Sequence, residues 1–578
     1  MAAIQDHIAL IAKDFDRLCI KPLDSAVKTD HFVDGYENPV SWHKRYNVPR
    51  EQLTKDILFD NLDMKNMTLA QYYHNIPEYI KWKLFGYNIV ISYEYISKTQ
   101  LNEALESIND TVDILSSINS KDVFLNSIKA AIKHVTYSLK GYIMSLCNLK
   151  TMDLEDFDTV NNMDNVNKAA LFGIQSIFFY EYGLPCIQIS GDCALKAISL
   201  NDNESEWHYL MSKVLTFYSR NIGSNQFSLD EIGEAKTAVR LGNKPHHKLH
   251  LVHVYQRMSK NIIDFKTDIL VSEASYILLK DVMKETNDLF LLKNCLLSLS
   301  KVEVKEQSSV ISETLEKLVK KLESSNNGYI HGAIGHYYLF YKKDYEKAKF
   351  HLKLAVDVKS FGASIDYVYT FYRLNPNSTP VENMLAQFLD VFPHQIHQEK
   401  LLSQIISFLI VTKKDIMKSL EYISQMLTIK HIACVYSMQN HNMKFSLVHK
   451  RFNLLEIIPE KLQVAIHNNE LTSGDINKIK IVLTKFEMYI SSLNPKMVSK
   501  NIHMYKYKDN DKFNDNKQIW RKHKSNQDQE KLRNEENWRK LKPEKMSRYL
   551  QHNFNNRPKS NENERKNVFI KKNDKIFL

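Results

Sequence analysis

Residues 186–260 read CIQISGDCALKAISL (Cys186–Leu200), ESEWHYLMSKVLTFYSR (Glu204–Arg220), SLDEIGEAKTAVRL (Ser228–Leu241) and KPHHKLHLVHVYQRMSK (Lys244–Lys260). Each segment carries apolar residues at helical spacing, and Gly, Pro or polar residues break it from the next. Ile187, Cys193, Ala194, Ala197, Ile198 and Leu200 supply the apolar positions of the first segment, which Asn201-Asp202-Asn203 ends. Trp207, Leu210, Met211, Val214, Leu215 and Phe217 form a broad stripe on the second, and the third pairs with it across a loop holding Gly223. Two antiparallel helix pairs in about 75 residues is the cadence of a helical repeat, in which no unit buries its own face alone.

Outward from this stretch the same cadence continues. Helical pairs begin near Pro77: Tyr79–Tyr95 pairs with Asn102–Ile118, and a long helix follows over Val123–Leu149. An acidic loop, Asp153–Asp164, precedes a helix over Lys168–Tyr182. C-terminal to the central stretch, Ser272–Met283 and Leu289–Leu299 form a pair, and Glu313–Leu322 leads into a tetratricopeptide-like unit over Tyr329–Val358. In that unit Ala348, Leu352 and Ala355 place small residues where two helices must approach. Ala197 and Ala238 look equivalent but lie 41 residues apart, longer than the usual tetratricopeptide period of about 34. The expectation is an all-α superhelix over residues 71–498, with residues 1–70 as an irregular capping segment and 499–578 as a disordered basic tail.

The bulk numbers agree. With 14 Gly and 13 Pro in 578 residues, the chain is poor in the tight turns that β-sandwiches and barrels require. Its six cysteines are scattered without a CxxC, which points to a reducing compartment. The first 20 residues contain Asp6, Asp14 and Asp16 and lack a basic start before an apolar core, so no signal peptide is read. The apolar runs are too short to span a membrane, and the expectation is a cytoplasmic protein, with nuclear import through the basic tail as a further option. Residues 500–578 carry 22 Lys and Arg against 11 Asp and Glu, leaving 56 of each in the rest of the chain. The whole excess of +11 therefore sits in the tail, and only a local patch would make the body attract nucleic acid.

Enzyme signatures are lacking: there is no GxxxxGK[ST], GxGxxG, GxSxG or CxxC, so no catalytic residue is assigned. Cys186 and Cys193 fall on one helix face as packed core, and Glu204 and Glu206 read as turn and capping residues. His246, His250, His253 and Arg257 share one face of the helix after Pro245. Histidines at i,i+4 can bind zinc, but no Cys or carboxylate lies near them in sequence and HExxH is absent, so neither metal nor cofactor is assigned. A polar face with a buried histidine or two remains open, as does an anion-binding face, since imidazole and Arg on a concave surface suit phosphate oxygens or RNA sugar edges. In the tail, Trp520-Arg521-Lys522, with Lys524, is echoed by Trp538-Arg539-Lys540. Aromatics beside clustered cations stack on bases while the cations neutralise phosphates; a solubilising tail is the plainer alternative.

Cys193-x-x-Lys196-Ala197-x-x-Leu200, the helix ending Tyr218-Ser219-Arg220, and Ala238-Val239-Arg240-Leu241 after a helix opening Ser228-Leu229 together resemble the interferon-induced tetratricopeptide-repeat proteins. His336-Tyr337-Tyr338-Leu339-Phe340-Tyr341 followed by Tyr345-Glu346-Lys347-Ala348 is a second echo. The resemblance covers residues 70–490 in architecture and a few dozen positions in identity. It implies a superhelix closed around a basic pocket that takes single-stranded RNA by its 5′ end, and a role in innate antiviral defence. The family's phosphate-contacting Arg, in a Glu-Arg-Ala motif, aligns with Gln188-Ile189-Ser190 and is missing, which puts triphosphate specificity in doubt. The groove residues expected on this reading are Arg220, Lys236, Arg240, His246, His250, His253 and Arg257, with the tail adding non-specific affinity. The alternative is a scaffold for protein partners, which requires no basic groove.

Overall fold

A computed structural model describes residues 37–46, 76–149, 159–183, 186–221, 229–259, 265–302, 308–429, 437–439, 441–445, 450–467 and 471–492. Apart from residues 37–46, the expected capping segment lies outside the described residues, as does the whole tail, with Trp520, Arg521, Lys522, Lys524, Trp538, Arg539 and Lys540. All of the described helices belong to one unit, which ends at Leu493.

The described residues form an all-α helical-repeat array with one small hairpin. In chain order the helices are α1 (Pro39–Tyr46), α2 (Glu78–Ser97), α3 (Leu101–Ser116), α4 (Val123–Ser127), α5 (Lys129–Leu146), α6 (Asn165–Glu181), α7 (Ile187–Leu200), α8 (Ser205–Asn221), α9 (Leu229–Gly242), α10 (Pro245–Ser259) and α11 (Phe265–Glu285). They continue as α12 (Leu289–Leu299), α13 (Ser308–Glu323), α14 (Gly328–His336), α15 (Tyr345–Asp357), α16 (Phe361–Leu374), α17 (Val381–Val391), α18 (Gln395–Ser407), α19 (Ile416–Met426), α20 (Leu454–Ile466) and α21 (Ser473–Ser492). The most extensive packing joins α2 to α3, α6 to α7, α8 to α9, α10 to α11 and α14 to α15, so consecutive helices form the repeat unit. The helix expected over Val123–Leu149 is broken at Ile128, whose backbone (φ −110°, ψ 14°) leaves the helical region and separates α4 from α5.

Two repeat lengths occur along the array. Unit starts at Asn165, Ser205 and Pro245 recur every 40 residues, whereas those at Gly328, Phe361 and Gln395 recur every 33 to 34. The longer period accounts for the spacing of Ala197 and Ala238, both buried where paired helices approach. In the C-terminal half a device repeats 71 residues apart: α14 and α18 each run on through a π-helical turn, over Tyr337–Lys342 and Phe408–Lys413. Each turn ends at a left-handed lysine, Lys343 or Lys414, followed by an Asp that caps the next helix, Asp344 onto Lys347 N or Asp415 onto Lys418 N. The sequence signal is Lys-Lys-Asp at 342–344 and 413–415. The departure from an all-helical chain is β1 (His441–Met443) paired antiparallel with β2 (Lys450–Phe452). Gln404 of α18 holds β1 by donating to Asn442 O (2.8 Å) and accepting from Lys444 N (3.0 Å).

Helix α2 is the axis of the N-terminal half. Thirteen of its twenty residues are buried and lie on every side, as expected of a helix enclosed by others rather than packed on one flank. Trp82 stacks on Phe85 and meets Trp207 of α8 edge-on, and Tyr79 donates to Asp288 at the start of α12 (2.5 Å). A contact across 209 residues shows that the array curls until its first helix pair touches the start of α12. At the tightest crossing, a Cβ on Gly173 of α6 would sit 2.3 Å from the Trp207 ring, so only glycine fits there. Helix α1 closes one flank: Trp42 is fully buried edge-on to Phe178, and Asn38 donates to Ser138 (2.8 Å).

Candidate functional site: a tyrosine and lysine cavity

The curling of the array leaves a small cavity of about 30 Å³ between α2, α6, α8 and α10. Helix α2 contributes Tyr79, Lys83 and Tyr87 to it, α6 contributes Tyr180 and Glu181, and α8 contributes Glu206, Tyr209 and Lys213. His246 of α10 completes the lining. Two lysines break the apolar run of α2: Lys81 and Lys83 stand two apart in EYIKWKLFGY. Lys81 is a structural buried cation, donating to Asp122 (2.6 Å) and to Ser117 O (2.8 Å). Lys83 instead faces the cavity, its Nζ 5.4 Å from the Tyr79 ring centre and 5.7 Å from that of Phe290.

The cavity sets two lysines and two glutamates among aromatic faces. Burial, reinforced by the neighbouring Lys213, pushes the Lys83 ammonium down to about 8, so an anion that restores its counter-charge is favoured. Lys213 lies over Tyr180 (4.8 Å) and Tyr209 (5.6 Å), close enough for cation–π attraction to hold it against the wall. Burial pushes the Tyr87, Tyr180 and Tyr209 hydroxyls up, so they remain phenols. Glu181 and Glu206 in the lining, with Asp288 close to Lys83, offset the two lysines.

One wall is a polar knot on Glu206. A single oxygen, Oε1, meets His246 Nε2 (3.1 Å), His247 Nε2 (3.1 Å) and Lys244 Nζ (2.9 Å). Tyr79 stacks on His246 at 4.9 Å and 15°, and Tyr209 packs against both imidazoles. The sequence reading of Glu206 as a turn residue is therefore corrected. Glu204 does cap α8, accepting from Glu206 N (3.0 Å), but the Glu206 side chain is only 3% exposed and turns inward.

The face expected to carry His246, His250, His253 and Arg257 exists, and its polar groups are engaged by neighbouring helices. His250 meets Ser212 Oγ (2.9 Å), His253 meets Ser298 Oγ (3.1 Å), and Arg257 donates to Thr216 O (2.9 Å) and pairs with the buried Glu231. Burial pushes His246 and His253 down to about 4 and His250 well below its usual range, so these rings are neutral at pH 7 and act through hydrogen bonds rather than charge. Arg220, at the end of α8, is exposed, as are Lys236 and Arg240 on α9. Of the expected groove residues, His246 lines the cavity; Lys83, Lys213 and the four tyrosines were missed. The lysine pair inside the apolar α2 was the available signal, because lysines are seldom buried without a partner or a task.

No protein-family model and no curated protein sequence matches this chain. Among the described residues no helix is long and apolar enough to cross a membrane. The chain is similar in structure to the human IFIT1 dimer with PPP-AAAA, at 12% identity and a TM-score of 0.41, over 81% of this chain and 99% of that one. It is likewise similar to yeast Tom70, at 11% identity and a TM-score of 0.27, over 72% of this chain and 91% of that one. A third similarity is to c5321, a protective antigen of uropathogenic Escherichia coli with an SLR fold, at 11% identity and a TM-score of 0.20, over 78% of this chain and 99% of that one.

Proposed function

We propose that this helical-repeat protein binds single-stranded RNA, drawing a phosphate group into the cavity between α2, α6, α8 and α10. The observation that carries the reading is the pairing of Lys83 and Lys213 with Tyr79, Tyr87, Tyr180 and Tyr209 around one concave space. Ammonium groups neutralise phosphate, tyrosine faces stack on bases, and phenol hydroxyls donate to phosphate or ribose oxygens. On this reading the exposed Arg220, Lys236 and Arg240 are outer backbone contacts. His246 and His250 shape the wall through their hydrogen bonds, and the tail from Trp520 to Lys540 adds affinity without sequence preference.

The test is binding of a 3′-labelled single-stranded RNA by the full chain and by its Lys83→Gln/Lys213→Gln variant. Loss of two charge-assisted contacts, each worth about 1.5–3 kcal/mol, predicts at least about a hundredfold weaker binding with unchanged helicity. Equal affinity would refute the cavity. If affinity follows only removal of residues 499–578, the tail is a general polycation and the folded array is better sought as a scaffold for protein partners. Arg257→Glu is unsuitable as a probe, because it would set two acidic groups against each other at the buried Glu231.

A further inference from the structure

We propose that Glu206, His246 and His247 form a binding site for a divalent transition metal of the zinc class, built into the wall of the cavity. All three residues are buried, and their candidate ligand atoms lie within 4.8 Å of one another. Both imidazole Nε2 atoms stand 3.1 Å from the same carboxylate oxygen. A tetrahedral zinc centre with bonds of about 2.0–2.1 Å has ligand–ligand edges of about 3.3 Å, which the two carboxylate–imidazole edges nearly match. Two imidazoles and one carboxylate are a donor set for zinc, or for nickel or copper in its place, and not for magnesium or calcium, which take oxygen donors.

Two further features fit a metal centre. The rings are held from outside: Tyr79 stacks on His246, Tyr209 packs on both rings, and the two imidazoles lie 4.2 Å apart at 66°. Such fixing of ligands by their surroundings is what a metal site needs. Finally, Glu206 and His246 both border the open cavity, which leaves a fourth position for water or an incoming ligand oxygen.

Lys244 is the competitor. Its Nζ lies 2.9 Å from the same Glu206 oxygen and supplies the counter-charge while no ion is present. Its side chain is 27% exposed and rests over the Phe124 ring at 5.0 Å, so it can withdraw toward solvent when a divalent ion takes its place. Lys244 thus tunes the affinity of the site, a property that adventitious binding to surface histidines would not share.

The test uses the full chain without a polyhistidine tag, titrated with Zn(II) against a chromophoric chelator and with Co(II) by visible absorption. One equivalent should bind, with the intense absorption of tetrahedral cobalt. Glu206→Gln and His247→Gln should each weaken it by at least about a hundredfold, while His397→Gln, at a buried histidine in α18, leaves it unchanged. Lys244→Gln should tighten binding several-fold, and this arm remains decisive should the buried-site variants fail to fold. Absence of a stoichiometric ion, equal binding by His247→Gln, or unchanged or weakened binding by Lys244→Gln would each overturn the proposal. The readout is metal affinity, so it stands or falls independently of RNA binding.

Discussion

Lys83→Gln should not only weaken RNA binding but also abolish its pH dependence between pH 7 and 9. Burial inside the superhelix, with Lys213 nearby, holds this ammonium near 8 rather than its ordinary 10.5. A group with that value is about nine-tenths charged at pH 7 and about one-tenth charged at pH 9. A bound phosphate raises the lysine's affinity for its proton, so the stabilisation is fully present below pH 8. It fades as pH rises through 8, by about tenfold in Kd per unit until the value in the complex is reached. The phosphate does not contribute to this slope, because its second ionisation lies near 6 and is complete by pH 7. Wild-type affinity should therefore fall by about tenfold between pH 7 and pH 9, and Lys83→Gln should be flat across that range while starting about 10- to 100-fold weaker at pH 7. The assay is fluorescence anisotropy with a 3′-labelled RNA at constant ionic strength, with a chelator present so that metal does not enter. A variant that keeps both the affinity and the slope of the wild type would remove Lys83 from the site.

Three other outcomes probe the scaffold. Burial raises the Glu399 carboxyl to about 7, so the folded state holds a proton that the unfolded state releases near 4.3; stability is lost as pH rises between those values, by up to about 3.5 kcal/mol at pH 8. Glu399→Gln should accordingly gain in melting temperature over wild type at pH 8 and little at pH 5, and an equal gap at both would sink the assignment. Gly173→Ala should cost about 1–3 kcal/mol because its methyl group would strike Trp207, whereas Gly362→Ala, with open space around it, should be neutral or slightly stabilising; thermal denaturation of the pair decides. Arg257→Met, which leaves Glu231 buried without its cation, should lower stability by about 3 kcal/mol in urea unfolding, and no measurable loss would deny the pair a structural role.

Periodicity and punctuation were enough for most of the helices. The run LFLLKNCLLSL, read as one helix of a pair, is a helix between Asp288 and Ser300, and the pairs around Ala197, Ala238 and Ala348 announced a repeat through small residues at contact positions. Where a helix boundary was missed, at Ile128, the cause was a backbone break inside an otherwise uninterrupted apolar pattern. The hairpin at His441–Phe452 was missed because three-residue strands carry too little alternation to register; Gln404 fixes it from another repeat. The histidine stripe was correctly placed on one face, yet its chemistry was not readable, since whether an imidazole is charged depends on burial that periodicity does not report.

The helices, their pairing into units and the location of the surplus charge are written along the chain, because these depend on neighbours within a turn or two. Which polar residues meet is settled only by the curling of the array. Tyr79 reaches Asp288 across 209 residues, and Glu206 meets His246 and His247 from 40 and 41 residues away. In a superhelix the small rotation between successive units accumulates, and a cavity appears where the first repeat comes round to face the later ones. No local pattern encodes that sum, so Lys83 and Glu206 look like ordinary residues of a helix and a turn until the repeats close around them.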